Sequence, residues 1–190
     1  MSKFSPKYMV TMKDIVREGS AILRKKTELV PIPVSIEDKD ALLCMLQYLK
    51  NSQDPDISIK HNLRPGVGLS ANQIGLDKRM FAAYFGDENL ELMLINPKII
   101  SHSMNMIYLP QGEGCLSVDR EVPGFVPRYE RIKVKAYDIN GEEKILKFNG
   151  YHSIVIQHEI DHLNGIMFYD KINKENPFKL PENVEIESLY

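Results

Sequence analysis

The stretch Gln157-His158-Glu159-Ile160-Asp161-His162 constrains this chain more than any other. In a helix each residue advances about 100° around the axis. His158 and His162 then lie one turn apart on one face, where two imidazoles can close on a single metal ion. Glu159, beside the first histidine, reaches a water at that ion more readily than the ion itself. In the H-E-x-x-H pattern the histidines hold metal and the glutamate moves protons. Five letters also arise by chance, and the bland reading is two surface histidines on a charged helix. The flanks point the other way. Ile154, Val155, Ile156, Ile160 and Leu163 make the segment apolar on most sides, as expected of a core helix. Asn149-Gly150 offers a start and Gly165 a stop. A buried histidine pair needs polar partners, and a metal would supply them.

The 190 residues suit one domain with a full core, expected to span 1–190. With 43% hydrophobic and 26% charged residues, the composition is that of an ordinary globular protein. A net charge of −2 argues against electrostatic nucleic-acid binding. The apolar run Ala41 to Leu46 is far too short to span a bilayer. Met1 to Met12 lacks the apolar core of a signal peptide, so a cytoplasmic location with no membrane association is expected. In that compartment Cys44 and Cys115 are expected to stay reduced.

Taken in order, residues 1–12 read as a loosely held lead-in, and the prolines of Val30-Pro31-Ile32-Pro33-Val34 require extended chain. Ser35 to Asn51 reads as a helix, capped by Ser35, with Leu42, Met45, Leu46 and Leu49 on one face and Cys44 at its edge as a small core residue. Residues 52–65 read as a polar linker. In Gly66-Val67-Gly68-Leu69-Ser70-Ala71-Asn72-Gln73-Ile74-Gly75 the alternate glycines allow close backbone approach, but the phosphate-loop and dinucleotide-binding spacings are absent. A strand edge that binds extended peptide fits better. Arg79 to Phe85, Leu90 to Ile95 and Asn105 to Leu109 read as strands, with turns at Gly86–Asn89 and Asn96-Pro97. Ile132, Val134 and Ala136 alternate with lysines, Asn140-Gly141 signals a hairpin, and Lys144 to Phe148 returns. The tail from Pro177 to Tyr190 suggests a last edge strand. The resulting fold class is α+β: mostly antiparallel sheets around a central H-E-x-x-H helix, with an N-terminal helix.

Two histidines are too few for a tight catalytic site, which takes three protein ligands and leaves a position open. Downstream, Asp170 and Glu175 stand at unremarkable positions. Upstream, Cys115 lies in the glycine-containing loop Gln111-Gly112-Glu113-Gly114-Cys115-Leu116-Ser117, and a thiolate is the strongest candidate left.

Gly66–Gln73, Glu113–Ser117 and Gln157–His162 together resemble the three signature motifs of peptide deformylases, in order and spacing. The resemblance covers nearly the whole chain. Asn51–Pro55 and Val118–Arg128 resemble the class found mainly in Gram-positive bacteria. It implies that Cys115, His158 and His162 hold one divalent metal, with Fe²⁺ expected natively and Zn²⁺, Ni²⁺ or Co²⁺ able to replace it in purified protein. It implies an enzyme that removes the N-formyl group from the formylmethionine of newly made polypeptides. Hydroxide generated at the metal attacks the formyl carbon, and Glu159 is general base and acid. Gln73 and the Leu116 N–H would meet the oxyanion. Gly68 would bind the substrate backbone, and Val67, Tyr151, Ile154 and Val155 would line the methionine pocket. Glu113 and Arg128 would form an ion pair behind the metal. The role leaves a transient ribosome contact open and needs only a monomer. Ser70 and Asn72 depart from the family pattern, which commonly has alanine and proline there; the Ser70 hydroxyl needs a partner. The competing readings are a peptidase of internal bonds, a catalytically inactive relative and a structural metal-binding module. A fourth ligand for the last could come only from Cys44, His61, His102 or His152.

Overall fold

A computed structural model describes residues 3–190. Its largest sheet has five strands: β1 (Gly68–Ser70), β2 (Met80–Phe85), β3 (Leu90–His102), β6 (Arg131–Tyr137) and β7 (Glu143–Asn149). They run in the order β1-β2-β3-β6-β7, and every pairing is antiparallel. Strand β2 is buried on both faces, which is why it reads as a continuous apolar run. Met80 and Ala82 face a core shared with Leu42, Met45 and Leu49 of helix α1 (Ile36–Gln53). Phe81 and Ala83 face the opposite core, with Val155, Ile156, Ile160 and Leu163 of helix α3 (Gly150–Leu163). A smaller sheet joins β4 (Met106–Tyr108) to β5 (Arg128–Tyr129) and, in parallel, to β8 (Ile186–Ser188). Ile107 and Leu109 meet Ile154 there, so α3 is held between the two sheets. The α+β class, the central helix and the tail edge strand are as the sequence suggests.

Local chemistry explains the element ends. The Asp38 N–H donates to the Ser35 hydroxyl at the start of α1. Asp138 accepts from the N–H groups of Asn140 and Glu142 and so shapes the β6–β7 hairpin. Helix α3 ends at Asn164, followed by Gly165 at φ +74. The buried Arg79 donates to the Leu163 carbonyl (3.2 Å), the Asn164 side chain (2.9 Å) and Pro97, placing a cation at the negative end of α3.

Three expectations fail for identifiable reasons. Residues 52–65 are not a linker: Pro55–His61 is helix α2, with the Asp54 side chain accepting from the Ile57 N–H and proline in the first turn. Asp-Pro is a helix start as readily as a turn. Asn96-Pro97 does not end a strand. Asn96 takes φ +52, its side-chain amide exchanges two hydrogen bonds with the Val30 backbone, and β3 continues past a bulge. The described part of the lead-in is packed, with Phe4 and Val10 buried and the Ser5 carbonyl accepting from the Cys44 thiol.

Gly165 makes the helix stop testable. A Cβ there would stand 2.5 Å from the Arg24 carbonyl oxygen, on a backbone conformation that side chains avoid. Gly165→Ala should cost more than about 1 kcal/mol in urea unfolding, whereas Gly114→Ala, which meets open space, should change stability by less than about 0.5 kcal/mol.

Candidate active site

Helix α3 presents His158, Glu159 and His162 toward a loop that follows β4 and carries Cys115. The His162 Nε2 lies 3.2 Å from the Cys115 sulfur and 3.2 Å from the His158 Nε2. The three donor atoms are all within 4.8 Å of one another. Ligands on one tetrahedral ion, with metal–donor lengths of 2.0–2.3 Å, stand about 3.3–3.6 Å apart. One thiol and two imidazoles at this spacing therefore fit a single soft or borderline divalent cation.

A chain of charge backs the histidines. The His158 Nδ1 meets the Glu113 carboxylate at 2.8 Å, which leaves Nε2 for an ion. Glu113 in turn takes two 2.8 Å bonds from Arg128, a bidentate pair. The remaining guanidinium nitrogen bonds Asp161, on α3, and Lys171 lies 3.5 Å from that same carboxylate. Burial would push the Glu113 carboxyl up, but Arg128 and His158 outweigh it and hold it down at about 2. Burial works against the His158 cation too, yet Cys115 and Glu113 raise its pKa well above the ordinary value. His162 is held well below the ordinary value by burial, with His158 and Arg128 adding to it.

The first motif packs directly on this centre. Gln73 sits in the tight turn after β1, where its Oε1 accepts from the Ser70 N–H at 2.9 Å. Its Nε2 points to the Cys115 sulfur (3.4 Å) and the Ser117 hydroxyl (3.1 Å). Gly68 is on the edge strand, and a Cβ there would come within 2.2 Å of the Glu159 Oε1; only glycine admits the carboxylate. The Ser70 hydroxyl is 2.6 Å from the other Glu159 oxygen, and the Asn72 amide donates to the His162 carbonyl. Burial raises the Glu159 pKa, with His158 and the Ser70 hydroxyl acting against it.

A cleft of about 240 Å³ opens onto the same groups. Val67, Gly68, Leu109, Tyr151, Ile154 and Val155 line it together with Gln73, Cys115, Leu116, His158 and Glu159. Among the described residues nothing accepts from the Leu116 N–H. The residues given roles by the resemblance all line this cleft except His162, buried beside Cys115, and Arg128, which bonds the lining residue Glu113. His61, His102 and His152 stay away: His102 stacks on Tyr129, and His152 packs against Phe85 beside Glu88.

Several supports of the site carry no local sequence signal. Asp161 lies within the helix motif, yet nothing local ties it to Arg128. Arg64 donates to the carbonyls of Cys115 and Val118 (3.2 Å each) and to Asp119, which also holds Arg17. These bonds brace the Cys115 loop across some fifty residues of sequence and leave no periodic signal.

The sequence profile of the polypeptide deformylase family matches residues 12–178. The chain belongs to the polypeptide deformylase family. It is 59% identical over 177 residues to peptide deformylase 2 of Bacillus anthracis, covering 92% of this chain and 96% of that one. It is 52% identical over 178 residues to peptide deformylase 2 of Bacillus subtilis strain 168, covering 92% and 97%. Among solved structures it resembles the peptide deformylase of Thermus thermophilus, with a TM-score of 0.70 at 33% identity, covering 85% and 86%. Deformylases depend on a metal, and the trio Cys115, His158 and His162 is a group that can hold one. Among the described residues of this deformylase no helix is long and apolar enough to cross a membrane.

The depressed Glu113 pKa carries a pH signature. A carboxyl whose folded pKa lies below its ordinary 4.5 contributes stability above that pH and loses it as pH falls toward about 2. Chemical unfolding should therefore show stability dropping across that window, with a shallower drop in Glu113→Gln; an equal slope in both proteins would contradict the assignment.

Proposed function

We propose that this deformylase removes the formyl group from the N-formylmethionine that begins newly made polypeptides. In this reading Cys115, His158 and His162 hold one divalent ion, ferrous iron in the cell, and Glu159 carries the proton. The observation that carries it is the meeting of the three donors beside the Glu159 carboxylate and the Gln73 amide, four of these five residues lining one cleft and His162 lying against Cys115. A structural site would be closed by four protein ligands, and the grouping here has three. Glu159 and Gln73 would also be idle in such a module. Zinc, nickel or cobalt can compete in purified protein, because affinity for such ligands generally rises along the series beyond iron.

When bound, the ion supplies Lewis acidity to the formyl oxygen and to water. The residues do the rest. The edge of β1 at Gly68 receives the extended peptide by main-chain bonds. The methionine side chain rests among Val67, Tyr151, Ile154 and Val155. Glu159, whose burial favours taking up a proton, removes one from water as the water oxygen attacks the formyl carbon. The Gln73 amide and the Leu116 N–H meet the charge that develops on the formyl oxygen, and one such donor is worth ~3 kcal/mol. Glu159 then returns the proton to the amine as the C–N bond breaks, leaving formate and a free methionyl terminus. Glu113, held by Arg128, fixes the His158 ring throughout. We assign residues 1–190 to one deformylase domain, acting as a monomer in the cytoplasm on chains at the ribosome.

The test is formate release from an N-formylmethionyl tripeptide by protein purified without oxygen, with metal counted in the same sample. Release is expected, and Glu159→Gln should slow it at least about a hundredfold with metal content unchanged. No release from fully metallated protein would contradict the reading and favour an inactive relative.

A further inference from the structure

Ser70 ends β1 with no exposed surface. Its Oγ stands 2.6 Å from the Glu159 Oε2 and 3.1 Å from the Glu159 carbonyl oxygen. A hydroxyl has one proton to give, and both neighbours are acceptors. The shorter contact has the length of a charge-assisted O–H···O⁻ bond, about 2.5–2.7 Å, so the proton goes to the carboxylate. The other oxygen, Oε1, lies against the Gly68 backbone, where even a methyl group would collide with it. The carboxylate is therefore held from both sides. The same residue's N–H donates to the Gln73 Oε1 and turns the Gln73 Nε2 toward Cys115.

We infer that Ser70 is a positioning residue for the reaction, its hydroxyl fixing the Glu159 carboxylate with one oxygen bound and the other presented beside the substrate strand. This rests on the role given to Glu159 above. The terminal torsion of a glutamate is soft, so a carboxylate without this donor samples orientations that cannot reach the attacking water. The Gln73 bond comes from the Ser70 backbone and survives any side-chain change. The hydroxyl can thus be removed while the Ser70 N–H still holds the Gln73 side chain.

Ser70→Ala and Ser70→Thr are compared with wild type at equal metal content, reading kcat and KM separately, alongside a crystal structure of the alanine variant. Ser70→Ala should lower kcat about tenfold with KM within about twofold, and Glu159 should leave its position in the crystal. Ser70→Thr, which keeps the hydroxyl, should recover most of the lost kcat. A structural role would lower the unfolding midpoint and leave kcat per metal unchanged, and that result would overturn the inference. So would a reduced kcat with Glu159 unmoved. The alanine variant decides the matter even if the added methyl of threonine prevents folding. An inactive wild type would overturn the proposed reaction, whereas an active wild type with an equally active Ser70→Ala would overturn the role of Ser70 alone.

Discussion

Arg128 lies fully buried between Glu113 and Asp161, and its guanidinium joins three separate parts of the chain. Glu113 comes from the Cys115 loop, Arg128 from the small sheet, and Asp161 from α3. Without this cation Glu113 would be left with His158 and Asp161 with Lys171, and breaking a buried pair generally costs about 3–5 kcal/mol. The same bonds set the site. Arg128, together with His158 itself, keeps Glu113 charged at a depth where burial alone would favour its protonated form, and the charged carboxylate orients the His158 ring. The fold and the metal-binding geometry therefore rest on one interaction.

Around this anchor the motifs converge for steric as well as electrostatic reasons. Gly68 allows α3 to approach the edge strand until the Glu159 carboxylate touches backbone. The turn after β1 then delivers Gln73 to the sulfur of Cys115, and Arg64 holds the carbonyls of the Cys115 loop from the other direction. Buried polar groups cost free energy unless paired, and here most are paired with one another, so the site is rigid without being apolar. The cleft beside it joins this polar floor to apolar walls from Val67, Ile154 and Val155.

Much of this is legible in the sequence because it is written locally. The apolar spacing and serine cap of α1, the Asn140-Gly141 hairpin and the span of α3 each depend on neighbours a few residues apart. The resemblance of three spaced motifs to deformylases implies the roles proposed for Cys115 and Gln73, which local periodicity could not. Helix α2 and the bulge at Asn96 are hidden because Asp-Pro and Asn-Pro serve more than one backbone geometry. The partners of Asp161, Arg64 and Ser70 are hidden because their contacts span 33 to 89 positions and have no sequence period.

Cys115, His158 and His162 are proposed to bind one ion through one sulfur and two imidazoles. X-ray absorption at the metal edge of zinc-loaded protein tests it most directly. One sulfur at about 2.3 Å with nitrogen at about 2.0–2.1 Å is expected, with loss of the sulfur in Cys115→Ser. A first shell without sulfur in the wild-type protein would contradict it.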